Sequence, residues 1–188
     1  MRSVIRGLVM LGALALVSAP MPARADGFVI PWVGTTFSQP DFGKAKNGQV
    51  TFGGAIGTLG GGGLFGFDVD FGYTPNFAGK IPGVKNSVLT TMIDFTAGPS
   101  ITTSGGRGVR PYVVGGVGLI HPTFGANSEN AFGWNAGGGV QALFSSRVGI
   151  RGDLRYMQTV KNSDLLSTIA LRKGSFNFWR ASVGIVLQ

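Results

Sequence analysis

The chain has 188 residues, with 44% hydrophobic, 33 Gly, no Cys and a single His. That composition excludes a disordered tail, a collagen repeat, a disulfide scaffold and any thiolate or multi-His metal site. The formal net charge of +8 invites nucleic acid as a partner, but part of that charge belongs to a segment expected to be removed.

Arg2 and Arg6 precede an apolar run from Leu8 to Ala19, and the segment closes with Ala23-Arg24-Ala25. A basic start, a short apolar stretch and a small-x-small site are the marks of a secretory signal peptide. The run is too short for a membrane-spanning helix, which needs about 20 apolar residues. Residues 1–25 are therefore read as a signal peptide, with cleavage after Ala25, and residues 26–188 as one β-barrel domain. Export removes three cations and makes nucleic acid an unsuitable partner.

From residue 26 onward Gly interrupts every apolar stretch, and each internal Gly costs a helix about 1 kcal/mol relative to Ala. Alternation with period two fits instead. Strands are predicted at 28–38, 49–58, 64–73, 88–98, 110–120, 132–144, 147–159 and 176–187. In the third strand Phe65, Phe67, Val69, Phe71 and Tyr73 share one face, and Gly66, Asp68, Asp70 and Gly72 the other. In the seventh, Val148, Ile150, Leu154 and Tyr156 oppose Arg147, Arg151, Asp153 and Arg155.

Alternation alone fits a soluble sandwich as well as a barrel. Three features favour an all-β, eight-stranded antiparallel up-and-down transmembrane barrel. The strand count is even, and most strands have the roughly 9–11 residues that a tilted strand needs to cross the hydrocarbon. Connections 39–48, 74–87, 121–131 and 160–175 are long and polar, whereas 59–63 and 145–146 are short. Segment 99–108 is an exception to that rule. Finally, the aromatics fall near strand ends. Tyr73, Trp134, Tyr156 and Trp179 are expected at the outer membrane interface, and Phe65, Tyr112 and Phe144 at the inner one.

Three segments also carry a resemblance: Asp68 to Asn76, Val109 to Leu119 and Val148 to Tyr156. They resemble the bacterial outer-membrane β-barrel family, whose members include OmpA-like eight-stranded barrels. The resemblance covers essentially all of 26–188 and implies the outer membrane as location. It also implies assembly by the outer-membrane insertion machinery, which reads the last strand. Family members usually end that strand in Phe. This chain ends Val186-Leu187-Gln188, which implies either a shortened terminus or a weaker insertion signal.

Several groups are candidates for function. Asp68, Asp70, Asp94 and Asp153 are expected to face Arg147, Arg151, Arg155 and Arg180 across the lumen. An eight-stranded interior has room only for side chains, and buried charges must be paired. The competing reading is the lining of an ion path. Lys80, Lys85, Arg172 and Lys173 lead a cationic set in the long loops, with Lys44, Lys46 and Lys161. They suit lipopolysaccharide phosphates or form a merely solvated surface. His121 lies near Ser128 and Glu129, so a lipid A-modifying hydrolase stays open, although no nucleophile elbow surrounds the Ser. The Gly clusters at 60–63 and 137–139 lack the helix and Lys-Ser/Thr of a phosphate loop and are read as turns and strand relief.

The reading that results is a monomeric, non-enzymatic outer-membrane protein with a structural or surface-interaction role. It contacts outer-membrane lipid and lipopolysaccharide and needs no cofactor or metal. The alternatives are a narrow porin-like channel, the hydrolase, and a soluble lipocalin-like barrel, which would need an apolar lumen.

Overall fold

A computed structural model describes residues 26–38, 48–79, 83–103, 107–160 and 176–188. The expected signal peptide lies outside the described residues. Eight long strands form the wall: β1 (Asp26–Ser38), β2 (Gln49–Gly60), β3 (Phe65–Pro75), β4 (Asn86–Ala97), β5 (Arg107–Phe124), β6 (Ala131–Leu143), β7 (Val148–Thr159) and β8 (Asn177–Leu187). Each strand pairs antiparallel with its neighbours in sequence, and β1 pairs with β8 to close the circle. At that seam Trp32 lies opposite Gly184, and Phe37 opposite Trp179. Closure leaves no long strand with a free edge, so the backbone groups of the wall are satisfied without water.

Period-two geometry then sends alternate side chains to opposite faces of the wall. Val29, Val33 and Phe37 on β1, Ile93 and Phe95 on β4, and Val113, Val117 and Leu119 on β5 are exposed on the exterior. Asp68, Asp70, Asp94, Arg110, Arg151, Arg155 and Arg180 are buried on the interior. Apolar outside and charged inside is the inverse of a soluble protein, and it is the arrangement lipid requires.

The two ends of the barrel differ. At one end β2 and β3 are joined by the tight turn Gly61–Gly63, where Gly62 and Gly63 take φ of 67° and 87°. Such left-handed backbone strains any residue with a side chain, which explains the Gly run. At the same end residues 144–147 join β6 to β7, and the Ser145 hydroxyl accepts from the backbone of Arg147 and Val148. The opposite end carries the longer connections.

Strand β5 is longer than expected, with 18 residues. Its first residues pair with Ile101–Thr103, and its last with Asn127–Ser128. Parts of 99–108 and 121–131, read from sequence as loops, are therefore β-ribbon. These extensions are short and rich in polar residues and Gly, so no period-two signal marks them.

The interior is not only charged. Phe77, Val88, Met92, Ile120, Met157, Phe176 and Phe178 form a buried cluster toward the long-loop end. Phe28, Ile30, Trp32, Ala55, Leu59 and Val186 form a second toward the tight-turn end. Sequence reading missed them because β1 and β8 are apolar on both faces, as in Phe28-Val29-Ile30 and Phe178-Trp179, and alternation cannot separate such positions.

The exterior assignment is testable at Ile93, which is 62% exposed and has Val69 and Val117 as cross-strand partners. Replacing Ile93 with Arg should destabilise the barrel by about 2–4 kcal/mol if the position lies at the bilayer midplane. Urea unfolding in lipid vesicles measures this; an unchanged midpoint would place Ile93 away from lipid.

Candidate functional site

The charged interior is built by four inward acids and four inward arginines contributed by β3, β4, β5, β7 and β8. On β7, Arg151, Asp153 and Arg155 are spaced by two and so share the inner face. Arg151 Nη1 pairs with Asp68 Oδ2 at 3.2 Å, and Arg151 Nε with Asp153 Oδ2 at 3.3 Å. Arg155 Nε meets Asp153 Oδ1 at 3.0 Å, and Arg155 Nη1 also pairs with Asp94 Oδ2. The result is a continuous line, Asp68–Arg151–Asp153–Arg155–Asp94, running across the lumen. Arg180 Nη2 forms a separate pair with Asp70 Oδ1 at 2.8 Å, and its guanidinium lies 4.3 Å from the Trp32 ring centre.

Neutral groups complete the set. Asn135 Nδ2 donates to Asp94 Oδ1 at 2.6 Å, and Ser182 Oγ to Asp153 Oδ1 at 3.1 Å. Arg151 Nε donates to the Tyr112 hydroxyl at 2.6 Å, which donates onward to Asp153 Oδ2 at 3.1 Å. Inward glycines make room for these bulky groups. A Cβ at Gly139 would stand 2.5 Å from the Tyr112 hydroxyl oxygen, and one at Gly116 would collide with Asp94 Oδ1. The Gly cluster at 137–139 thus relieves crowding inside the wall.

Two expectations need correction. Arg147 is exposed in the β6–β7 turn, because β7 begins at Val148 and the preceding residue faces water. The fourth inward arginine is instead Arg110, whose Nε donates to the Gly63 carbonyl at 2.5 Å and whose Nη2 donates to Thr96 Oγ1 at 3.1 Å. Tyr112 is likewise a lumen residue and not an interface aromatic. It is 5% exposed, between the ring contacts of Arg110 and Arg151. Sequence held a signal for both: Arg110 and Tyr112 share one face of β5, and an Arg cannot be turned to lipid without a large cost.

The other six aromatics face outward. Trp134, Tyr156 and Trp179 form a ladder across β6, β7 and β8, with ring centres 5.7 and 5.2 Å apart. Tyr73 packs edge-on to Phe52 at 5.6 Å near the same end. Phe65, stacked on Phe95, and exposed Phe144 stand near the tight-turn end.

His121 sits on β5 itself, and its Nδ1 lies 2.7 Å from Asn130 Oδ1. Ser128 pairs with Thr123 in the ribbon, and the Glu129 backbone amide donates to the Pro122 carbonyl. Of the loop cations, Lys85 is exposed. Lys80, Arg172 and Lys173 lie outside the described residues. Among the described residues no cluster of three or more His, Asp or Glu side chains is arranged to hold a metal.

The outer membrane protein beta-barrel domain matches residues 10–185. The chain belongs to that family. It is an outer-membrane barrel, and the surrounding lipid is its natural solvent. This outer-membrane barrel is similar in fold to Neisserial surface protein A, with TM-score 0.66 and 16% identity over 86% of this chain and 96% of that one. It is also similar to the N-terminal β-barrel domain of Pseudomonas aeruginosa OprF, with TM-score 0.54 and 16% identity over 87% and 98%. No curated protein matches the chain.

The buried line of ion pairs makes Arg151 a sensitive position, since two carboxylates and a phenol depend on it. Arg151→Ala should destabilise the barrel by about 3–5 kcal/mol, because a stranded buried acid costs more than the pair contributes. Urea titration in detergent checks this, and a loss below about 1 kcal/mol would mean that water reaches the acids.

Proposed function

We propose that this outer-membrane barrel is a monomeric, closed anchor that displays its long loops at the cell surface, in a structural or contact role. The observation that carries the reading is the interior. A line of ion pairs crosses it, and an apolar cluster lies toward each end. Paired charges hold little continuous water, and apolar layers hold less, so the lumen is read as closed to ions. The fold likeness to a protein named for the neisserial surface is in keeping with loop display. The same reading includes assembly by the outer-membrane insertion machinery.

A non-enzymatic role is part of the proposal. His121 Nδ1 lies at hydrogen-bond distance from the Asn130 amide oxygen, a partner that no hydrolytic triad uses, which weighs against the hydrolase. The loop cations suit phosphates of the surrounding lipopolysaccharide, where Lys and Arg make charge-assisted contacts.

Three measurements address these points. Purified protein in a planar bilayer should give no steady conductance; reproducible single-channel steps would replace the closed anchor with a narrow porin-like channel. Because the chain has no Cys, single thiols report topology directly. Exposed Ala126→Cys should react with an impermeant maleimide on intact cells, and exposed Ser146→Cys only after permeabilisation; the reverse pattern would invert the barrel. Replacing Lys80, Lys85, Arg172 and Lys173 together with Gln should weaken lipopolysaccharide association and flatten its salt dependence. Unchanged binding by a folded variant would leave those residues as a solvated surface.

A further inference from the structure

Among the described residues, seven of the eight junctions between wall strands pair without a gap. The seam between β1 and β8 does not. Its pairs run from Ser38 and Phe178 to Trp32 and Gly184, stop, and resume at Val29 and Leu187. Both sides of the gap keep one register, which sets Pro31 opposite Ile185 and Ile30 opposite Val186. No extra residue intervenes, so the cause is chemical. The Pro31 carbonyl oxygen points toward β8, 2.8 Å from where a Gly184 Cβ would stand. The two backbone groups of a strand residue face the same neighbour, so the Pro31 nitrogen also faces β8. Proline carries no N–H, and the Ile185 carbonyl opposite loses its donor on β1.

The break divides the seam unequally. Toward the long loops, the run from Trp32 to Ser38 holds seven pairs, and the Arg180 guanidinium lies over the Trp32 ring across the junction. Toward the tight-turn end one pair remains, Val29 with Leu187. The side chains at that end are apolar on both faces of the wall. Phe28, Ile30 and Val186 are buried inside, while Val29, Ile185 and Leu187 are exposed outside. Parting the strands there sets apolar groups against lipid and breaks little backbone pairing. Parting them beyond Trp32 would break seven pairs and bring lipid to Arg180, which hydrocarbon resists on both counts.

We propose that the β1–β8 seam opens laterally at its tight-turn end, hinged at Pro31, while the run from Trp32 to Ser38 stays shut. Opening separates residues 27–30 from 185–187 and lets acyl chains of the surrounding leaflet reach Phe28, Ile30 and Val186. The line Asp68–Arg151–Asp153–Arg155–Asp94 has no member on either seam strand, so it keeps its place. The device therefore adds to a closed anchor a lumen end that exchanges with lipid without opening an ion path. Local opening of this kind is an equilibrium event, and amide exchange reads it directly.

The test is amide hydrogen exchange by NMR on the barrel refolded in detergent micelles, where water reaches an opened edge. Val29, Ile185 and Leu187 should exchange about tenfold or more faster than Val33 and Val183 across the hinge. They should also outpace Ala142 and Ile150, a pair near the same end of the β6–β7 junction. Pro31→Ala restores the missing donor. It should slow the three fast amides by about tenfold and leave Val33 and Val183 unchanged. Equal wild-type rates on the two sides of Pro31 would overturn the proposal. So would fast exchange that persists in Pro31→Ala, because the strand ends would then fray without regard to the proline.

Discussion

In a hydrocarbon environment no solvent molecule can take over an unpaired backbone N–H or C=O. Every strand must therefore find two partners, and the last must return to the first. The seam between β1 and β8 is where this chain meets that requirement, in antiparallel register from Val29 and Leu187 to Ser38 and Phe178. Once the seam closes, the wall has only two faces. The strict alternation of side chains then leaves each residue a choice between lipid and lumen, with nothing intermediate. Ile93 cannot be outside unless Asp94 is inside.

An eight-stranded lumen is narrow, so the inward residues must also fit one another. Three arginines, Arg151, Arg155 and Arg180, pair directly with the four acids, and Arg110, set lower against the Gly63 carbonyl, brings the inward charges to four of each sign. Such pairs add little net stability, since desolvation offsets much of their attraction. Their effect is on uniqueness. A one-residue slip of β7 would turn Arg151, Asp153 and Arg155 to lipid together, so the correct register is enforced by the cost of every wrong one. Inward glycines belong to the same constraint, because Gly116 and Gly139 stand where any side chain would strike Asp94 or Tyr112.

The wall is occupied with lipid on one side and with itself on the other, which leaves the long-loop end as the surface available for contact. The Trp134–Tyr156–Trp179 ladder faces outward near that end, and amphipathic rings of this kind favour the level where hydrocarbon meets head groups. The tight-turn end has only phenylalanines in the corresponding places, with Tyr112 drawn inside to bond Arg151.

Strand number, membrane polarity and the inward set of Asp68, Asp70, Asp94, Arg151, Asp153, Arg155 and Arg180 were legible in the sequence, because period-two alternation of charge against large apolar residues is a local pattern. Strand β3 is the clearest case, with Phe65, Phe67 and Tyr73 opposite Asp68 and Asp70. Where both faces are apolar, as in Phe28 to Trp32, local pattern says nothing of direction, and the two lumen clusters stayed hidden. Position at a strand end was also ambiguous, which put Arg147 inside and Tyr112 outside. Only the closed barrel decided those cases. The identity of the partner across the lumen depends on strands that lie far apart in sequence, as Arg151 and Asp68 do, and no spacing along one strand encodes that meeting.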